Sequence, residues 1–319
     1  MKQLGMIVIS NQTIDLNIET IIRQAESDLL LIFISNADKS LDCMRPFTYQ
    51  QIHTMIELLS LNIPTYVIPI KYTFPDNTVK QIIVETNKIK TLIGGDITIT
   101  DYTNKITSNI TNDGLTKLLV AFYEYDAQYL KDNLSPILLE YISNIIYDET
   151  NRHILNMHGE YAYIKKYKES WATVPYPPIF VTVDAVVCNN GHILLVKRKA
   201  IHGKGQWALS GGFMEQSETI EDSIVRELKE ETCIDVGVTI LKNSIKKIQV
   251  FSEPSRSLRG RTISHVGLIM LNDEYYLPTV MGADDAESAK WLPLCGIDSM
   301  VGDLFEDHYI IIKEMLRGN

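Results

Sequence analysis

The segment Thr173–Ile179, TVPYPPI, places three prolines within four residues. Each fixes φ, lacks an amide proton and biases the preceding residue away from the helical region, so no helix continues through this point. The chain is therefore expected to form two domains, residues 1–172 and 178–319, joined by an extended connector. A length of 319 residues with 45% hydrophobic content is enough for two separate cores.

Before the prolines, apolar runs alternate with amphipathic ones. Leu4–Ser10, Leu29–Ser35 and Ile63–Ile70 read as buried strands, and Ile14–Ala25 and Tyr49–Leu61 as helices. A weaker strand is expected in TLIGGDITIT, from Thr91, and the pattern turns helical from about Asn112 to Trp171. Alternation at this spacing predicts a parallel, doubly wound, Rossmann-like sheet. After the prolines the chain becomes rich in strand patterns. IFVTVDAVVC, HILLVKRK, GVTILKN, IKKIQVF and SHVGLIML read as strands around one strong helix, Thr219–Thr232. AKWLPL and a closing helix, Asp307–Leu316, follow. One central helix against a mixed sheet predicts an α/β/α sandwich.

The net charge of −10 is shared evenly: residues 1–170 carry 20 acids against 15 bases, and the remainder carries the same. Neither half offers the basic surface that holds nucleic acid through its phosphates, so a nucleic-acid partner is not expected. Cys43, Cys188, Cys233 and Cys295 are widely spaced, with no C-x-x-C pair. That usage suits a reducing compartment better than a disulfide framework or zinc site. No run reaches the roughly eighteen apolar residues of a membrane span, and the apolar N-terminal run is too short for a signal peptide. A soluble, cytoplasmic protein with no membrane partner is expected.

The acids are not spread uniformly, since Gly211–Ile234 holds seven carboxylates. Thr219 is a suitable N-cap with Asp222 three residues on. At about 100° per residue, Ile220, Ile224 and Leu228 form one apolar stripe. Glu227 and Glu231 fall within roughly 20° of Ile220 on the same wheel, with Glu230 flanking at about 80°. A solvated acidic helix, supported by pairs such as Arg226–Glu230, would set its charges opposite the stripe. Two inward carboxylates one turn apart repel and lose hydration unless a cation compensates. Oxygen donors of this kind suit Mg²⁺ or Mn²⁺, which keep waters and bridge to substrate phosphates.

The spacing is Gly212, five residues, Glu218, seven residues, Arg226-Glu227-Leu228, one residue, Glu230-Glu231, then Cys233-Ile234 after one more. This resembles the Nudix box of hydrolases that cleave nucleoside diphosphates linked to another moiety. The departure is Cys233, where the family has glycine; a left-handed turn there costs a cysteine on the order of 1 kcal/mol, and a locally altered turn is expected. Together with YKESWATVPYPPIFVTVDAVV, PSRSLRGRTISHVGLIM and GADDAESAKWLPL, the region Tyr167–Leu316 resembles the Nudix half of bifunctional nicotinamide mononucleotide adenylyltransferase/Nudix proteins.

That resemblance implies an ADP-ribose pyrophosphatase giving AMP and ribose 5-phosphate. Glu227, Glu230, Glu231 and the Gly212 carbonyl would hold the metal, and Glu218 would pair with Arg226 or reach the metal through water. Glu227 or Glu231 would serve as base, with Asp284, Asp285 and Glu287 as rivals. Arg256, Arg259 and Arg261 suit a pyrophosphate or terminal ribose. Trp207 and the linker aromatics are candidates for stacking on adenine, and His265 and His308 read as structural. The alternatives are hydrolysis of NADH, another dinucleotide or a nucleotide cap, and a non-catalytic sensor of ADP-ribose or NAD.

By the same resemblance the first half should be a nucleotidyltransferase with H-x-G-H after its first strand. The chain reads SNQTIDLNIE there instead, with no histidine before His53 and no basic side chain between Lys2 and Arg23. A later motif survives only as ITSNIT, Ile106–Thr111, without its arginine. The expectation is a domain that keeps its architecture, has lost adenylyl transfer, and acts as a scaffold, homodimerisation surface or ligand-binding module.

Overall fold

The structure, a computed structural model, describes residues 2–10, 22, 25–59, 61–73, 75–94, 96–102, 117–271 and 276–317. The chain divides into two compact units, Met1–Tyr161 and Ala162–Asn319.

The first unit is built on four strands: β1 (Lys2–Ser10), β2 (Leu29–Ser35), β3 (Thr65–Pro69) and β4 (Ile97–Asp101). Their order is β3-β2-β1-β4, and all neighbouring pairs are parallel. Parallel neighbours need crossovers, which α1 (Tyr49–Leu58) and α2 (Pro75–Ile93) supply. Thr48 starts α1 through a reciprocal capping box with Gln51. The middle of β2 is buried on both faces, as a parallel core strand must be. Four helices follow: α3 (Lys117–Tyr123), α4 (Ala127–Asn133), α5 (Pro136–Tyr147) and α6 (Arg152–Ser170).

One expectation in this unit is corrected. Thr91–Ile93 closes α2 and does not begin a strand, because Gly94, at φ 67°, ends the helix with its N–H on the Lys90 carbonyl. The pattern of α2 was not anticipated. Its apolar contribution to the sheet core is the sparse set Ile82, Ile89 and Ile93, spread over three turns. The expected helix Ile14–Ala25 and the segments SNQTIDLNIE and ITSNIT lie wholly or mostly outside the described residues.

In the second unit, β5 (Phe180–Asn189), β6 (His192–Arg198), β9 (Ile245–Phe251), β10 (Thr262–Met270) and β11 (Ala286–Pro293) run in the order β11-β6-β5-β10-β9. Two short strands, β7 (Trp207–Ala208) and β8 (Ser210–Phe213), pair with β6 and β5. The β5–β10 pair is parallel, while β6, β8, β9 and β11 join antiparallel, so the sheet is mixed. Alternate residues of β5 feed two cores. Val183, Ala185 and Val187 pack with Ile224, Val225 and Leu228 of α7 (Ile220–Thr232) on one face. Val186 and Cys188 pack on the other with Ile311, Ile312 and Met315 of α9 (His308–Met315). This is the expected α/β/α sandwich. GVTILKN is not a strand, however: Val238–Asn243 forms the short helix α8, whose Leu241 is fully buried in the α7 core. Its β-branched residues carry a strand signal that this single tertiary anchor overrides.

Among the described residues, no helix is long and apolar enough to cross a membrane.

Candidate active site

β8 and α7 bring the acidic stretch against the glycine pair. The Gly211 N–H donates to Glu231 Oε2 at 3.0 Å, and Gly211 and Gly212 pair with Asp184 and Val183 of β5. A Cβ on Gly212 would stand 2.6 Å from Glu227 Oε1, so only glycine lets that carboxylate lie against the strand backbone. The helix turns its acids as the wheel predicts. Glu231 is 5% exposed and Ile224 and Leu228 are buried beside it, whereas the Glu230 side chain is 48% exposed. Burial, countered in part by the Gly211 N–H and reinforced by Glu227, pushes the Glu231 carboxyl up to about 8. Burial also raises Glu227, against the pull of Arg226.

Arg226 stands among these acids. Its Nε donates to Glu218 Oε1, its Nη1 to Glu227 Oε1 at 2.8 Å and Glu230 Oε2 at 2.9 Å, and its Nη2 to the Phe213 carbonyl at 3.2 Å. The pairing expected of Glu218 with Arg226 is present, and so is the i,i+4 pair with Glu230. Among the described residues, no three His, Cys, Asp or Glu side chains converge as a preformed metal group. The donor set nevertheless suits a hard cation. A buried carboxylate at Glu231, which among the described residues accepts the neutral Gly211 N–H and feels the charge of Arg198, is the kind of group that a divalent ion stabilises.

The turn after α7 corrects another expectation. Cys233 adopts the left-handed conformation itself, φ 44° and ψ 32°, with its N–H on the Lys229 carbonyl. Lys229 Nζ then donates to the Ile234 and Val236 carbonyls at 2.8 and 3.2 Å. The turn keeps the shape glycine would give it, held by these added bonds. Nearby, the Met281 and Ala283 N–H groups bond to the carbonyls of Thr232 and Glu231. This brings Asp284 close enough for its charge to act on Glu227. The charge of Asp285 acts on Arg198 of the cleft, and Glu287 lies 4.0 Å from Lys197.

A narrow cleft opens beside Gly211 and Gly212, and Arg198, Arg256, Arg259 and Glu306 line it. The three loop arginines have separate fates. Arg256 is buried and bonded to Asp307 through two parallel hydrogen bonds. Arg261 donates to the Ser252 carbonyl at 2.8 Å. Arg259 faces the cleft, its guanidinium 5.2 Å from the Phe213 ring centre. Trp207 packs in the α9 core, with Lys290 5.9 Å from its ring, and does not line the cleft. The linker aromatics are better placed. Trp171, Phe180 and Phe213 form a ladder of edge contacts, with centroids 5.3 and 5.8 Å apart, ending one residue from Gly212. His308 is buried and its Nδ1 accepts the Leu209 N–H, a structural role.

Sequence reasoning did not single out Arg198, Asp184, Glu306, Phe180 or Phe213. The available signals were weak: a basic end to the HILLVKRK strand, and an acidic pair just before the closing helix.

A NUDIX domain profile matches residues 178–314. An ADP-ribose pyrophosphatase of Methanocaldococcus jannaschii is 36% identical over 138 residues, covering 43% of this chain and 73% of that protein. The ADPR responsive transcriptional repressor NtrR of Acinetobacter baylyi is 25% identical over 166 residues, of which the chain spans only 60% of the relative's length. Among solved structures, a bifunctional NMN adenylyltransferase/ADP ribose pyrophosphatase of Francisella tularensis, complexed with AMP and a manganese ion, superposes with a TM-score of 0.84. The two are 30% identical, and the match covers 99% of each chain. The chain is a Nudix hydrolase and belongs, over its whole length, to the family of bifunctional NMN adenylyltransferase/ADP-ribose pyrophosphatases.

Proposed function

We propose that residues 178–319 hydrolyse the diphosphate of ADP-ribose to AMP and ribose 5-phosphate with Mg²⁺ or Mn²⁺, and that residues 1–172 no longer transfer adenylyl groups. The observation that carries this reading is the buried Glu231 lying with Glu227 against Gly211–Gly212, which themselves line a cleft together with Arg198, Arg256 and Arg259. Glu227, Glu230, Glu231 and the Gly212 carbonyl would hold the ion. When bound, it neutralises diphosphate charge and lowers the pKa of a coordinated water.

The chain's own groups do the rest. Water oxygen attacks one phosphorus, the bridging P–O bond breaks, and the second phosphate leaves with its sugar. The water proton passes to a carboxylate of the cluster, Glu227 or Glu231, or to Asp284 on the adjoining loop. Arg226 keeps Glu218, Glu227 and Glu230 gathered at one end of the helix. The Trp171–Phe180–Phe213 ladder offers the adenine a shelf one residue from the glycine pair.

The test is a hydrolysis panel with Mg²⁺ and Mn²⁺ over ADP-ribose, NADH, diadenosine compounds and NAD-capped RNA. ADP-ribose should be turned over fastest, with AMP and ribose 5-phosphate in equal amounts. Preference for another substrate would move the assignment within the family. Tight ADP-ribose binding without turnover of any substrate would make the chain a sensor. NAD formation from nicotinamide mononucleotide and ATP would overturn the proposal for the first half.

A further inference from the structure

Glu306 stands just before α9 on a strained backbone. At φ 42° it occupies the left-handed region that a residue with a Cβ rarely adopts. The segment around it is anchored to β7: the Trp207 N–H donates to the Asp303 carbonyl at 2.9 Å, and the Phe305 N–H donates to the Trp207 carbonyl at 2.9 Å. The Glu306 side chain lies inward, 8% exposed. A carboxylate is costly to bury unless donors answer it. Here one oxygen, Oε1, takes two of them, His202 Nε2 at 2.9 Å and the Leu258 N–H at 3.1 Å. Burial opposes the charge. The bond and charge of His202, with the charges of Arg259 and Arg256, nevertheless hold the carboxyl well below the usual carboxylate range.

The two donors belong to different segments, 104 and 48 residues away along the chain. His202 sits in the turn that joins β6 to β7, which the Gly205 N–H closes on the Arg198 carbonyl at 2.9 Å. Gly203, at φ 72°, lets this turn lie against Phe305, since a Cβ there would collide with the ring. The His202 ring meets the same ring edge-on, with centroids 4.9 Å apart. Leu258 sits in the loop between β9 and β10. Ser257 beside Leu258, Phe305 beside Glu306 and Glu306 itself line the same cleft as Gly211 and Gly212. The carboxylates of α7 are held separately, Glu231 by the Gly211 N–H and Glu227 by Arg226. The junction at Glu306 therefore bears on the shape of the cleft and not on the reacting cluster.

We infer that Glu306 is a positioning residue for the hydrolysis: its single oxygen braces the His202 turn against the Leu258 loop and thereby sets the width of the cleft that receives the substrate. The strained φ is the cost of placing that oxygen between the two donors. This rests on the hydrolase reading above, with ADP-ribose as substrate, and adds to it a residue that acts through others.

The experiment compares Glu306→Gly, Glu306→Gln and His202→Leu in the full chain. Glycine suits φ 42° and removes the brace. Glutamine keeps one acceptor oxygen for both donors and removes only the charge. In Glu306→Gly, KM for ADP-ribose should rise about tenfold with kcat within about threefold, the mark of lost binding and not of lost chemistry. Glu306→Gln should return KM to within about threefold of the unsubstituted protein. His202→Leu should raise KM less, and adding it to Glu306→Gly should raise KM no further. Amide exchange followed by mass spectrometry needs no turnover: residues 199–206 and 253–260 should exchange faster in Glu306→Gly while α7 keeps its protection. If Glu306→Gly does not fold by thermal melting, His202→Leu and Glu306→Gln carry the test. A folded glycine variant with unchanged KM overturns the inference, as does a raised KM without faster exchange. A glutamine variant with KM as high as the glycine one also overturns it, because Glu306 would then act as a charge and not as a brace. An unsubstituted chain inert on ADP-ribose removes the hydrolase reading instead, and the exchange pattern then decides the brace.

Discussion

The Arg256 guanidinium grips the Asp307 carboxylate through two parallel bonds, Nε to Oδ2 and Nη2 to Oδ1, both 3.0 Å long. The pair ties the arginine loop to the residue before α9, with the Arg256 side chain 3% exposed and that of Asp307 15% exposed. Removing Asp307 takes from the buried Arg256 its hydrogen-bonded partner and leaves only the more distant charges of Asp184 and Glu306, and breaking a buried pair of this kind costs about 3–5 kcal/mol. Asp307→Ala should therefore lower the melting temperature sharply and raise KM for ADP-ribose, because Arg259 rides on the freed loop. The double variant Arg256→Met/Asp307→Leu should recover much of the stability while KM stays high. If the double variant melted as low as the single one, loss of packing and not an orphaned charge would be the cause.

Glu231→Gln separates chemistry from folding. Glutamine fills the same volume, and its carbonyl oxygen still accepts the Gly211 N–H now bonded at 3.0 Å. The charge needed by a cation or a proton is gone, so kcat should fall about 10²–10⁴-fold. Melting should be unchanged or raised, since a carboxylate that burial disfavours has been neutralised. Glu230→Gln should also reduce turnover, with little effect on melting because that side chain is half-exposed. Wild-type turnover with Mg²⁺ in the Glu231 variant would remove it from the reaction.

The acidic helix was legible because its chemistry is local. Capping at Thr219, the apolar stripe and the inward angle of Glu231 all follow from a 3.6-residue period, and all are present in α7. The parallel strands β1 and β2 were equally plain, being continuous apolar runs. What was lost depends on long-range contact. The fate of Arg256 is decided by Asp307, fifty-one residues away, and Arg198 is placed in the cleft by the Phe305 ring and the His202 carbonyl. Trp207 looked like a stacking residue by type, yet the β6–β7 pairing sends it to the α9 core. Spacing within a helix carries no information about which of several arginines a distant aspartate will take.

The aromatic shelf predicts a split in kinetic constants. Trp171 is 39% exposed, and its ring meets Phe180 at 69° and Tyr167 at 58°, both contacts short of parallel stacking. Stacking of a base on an aromatic is worth about 1–3 kcal/mol. Trp171→Ala should raise KM for ADP-ribose about tenfold with kcat nearly intact, and Trp171→Tyr should restore most of the affinity. A fall in kcat at constant KM would place the tryptophan in the chemistry and not under the base.

Cys233 stores strain that glycine would relieve. At φ 44° its Cβ crowds the following carbonyl, a cost on the order of 1 kcal/mol, although glycine also gains freedom in the unfolded chain. Cys233→Gly should raise stability by about 0.5–1 kcal/mol and leave hydrolysis unchanged. Lys229→Met should lower stability, because Nζ would no longer hold the Ile234 and Val236 carbonyls. If the glycine variant were less stable, the lysine bonds would already have removed the strain.

His308 and Asp184 make opposite contributions to acid stability. Burial first, then the charge of Arg256, push His308 down to about 3, with Glu306, Arg198 and Arg259 also facing it. The unfolded chain therefore takes up a proton near pH 6.5 that the folded one refuses, and acidification from there to about 3 weakens the fold by up to ~1.4 kcal/mol per pH unit. Asp184 is raised by burial to about 6, against the pull of Arg256 and Ser264. Its folded form binds the extra proton between about 6 and the unfolded value of 3.8, so acidification strengthens the fold across that window. The two slopes cancel there. Asp184→Asn removes the opposing one while its carbonyl can still accept from Ser264. All three tryptophans lie in Ala162–Asn319, so their fluorescence follows this unit during urea unfolding. Between about pH 6 and 4.5 the variant should lose about 2 kcal/mol more than the unsubstituted protein, one proton over that interval. Parallel losses in the two proteins would mean that Asp184 does not hold its extra proton across that window, and a variant whose stability stayed flat would mean that His308 is not held neutral.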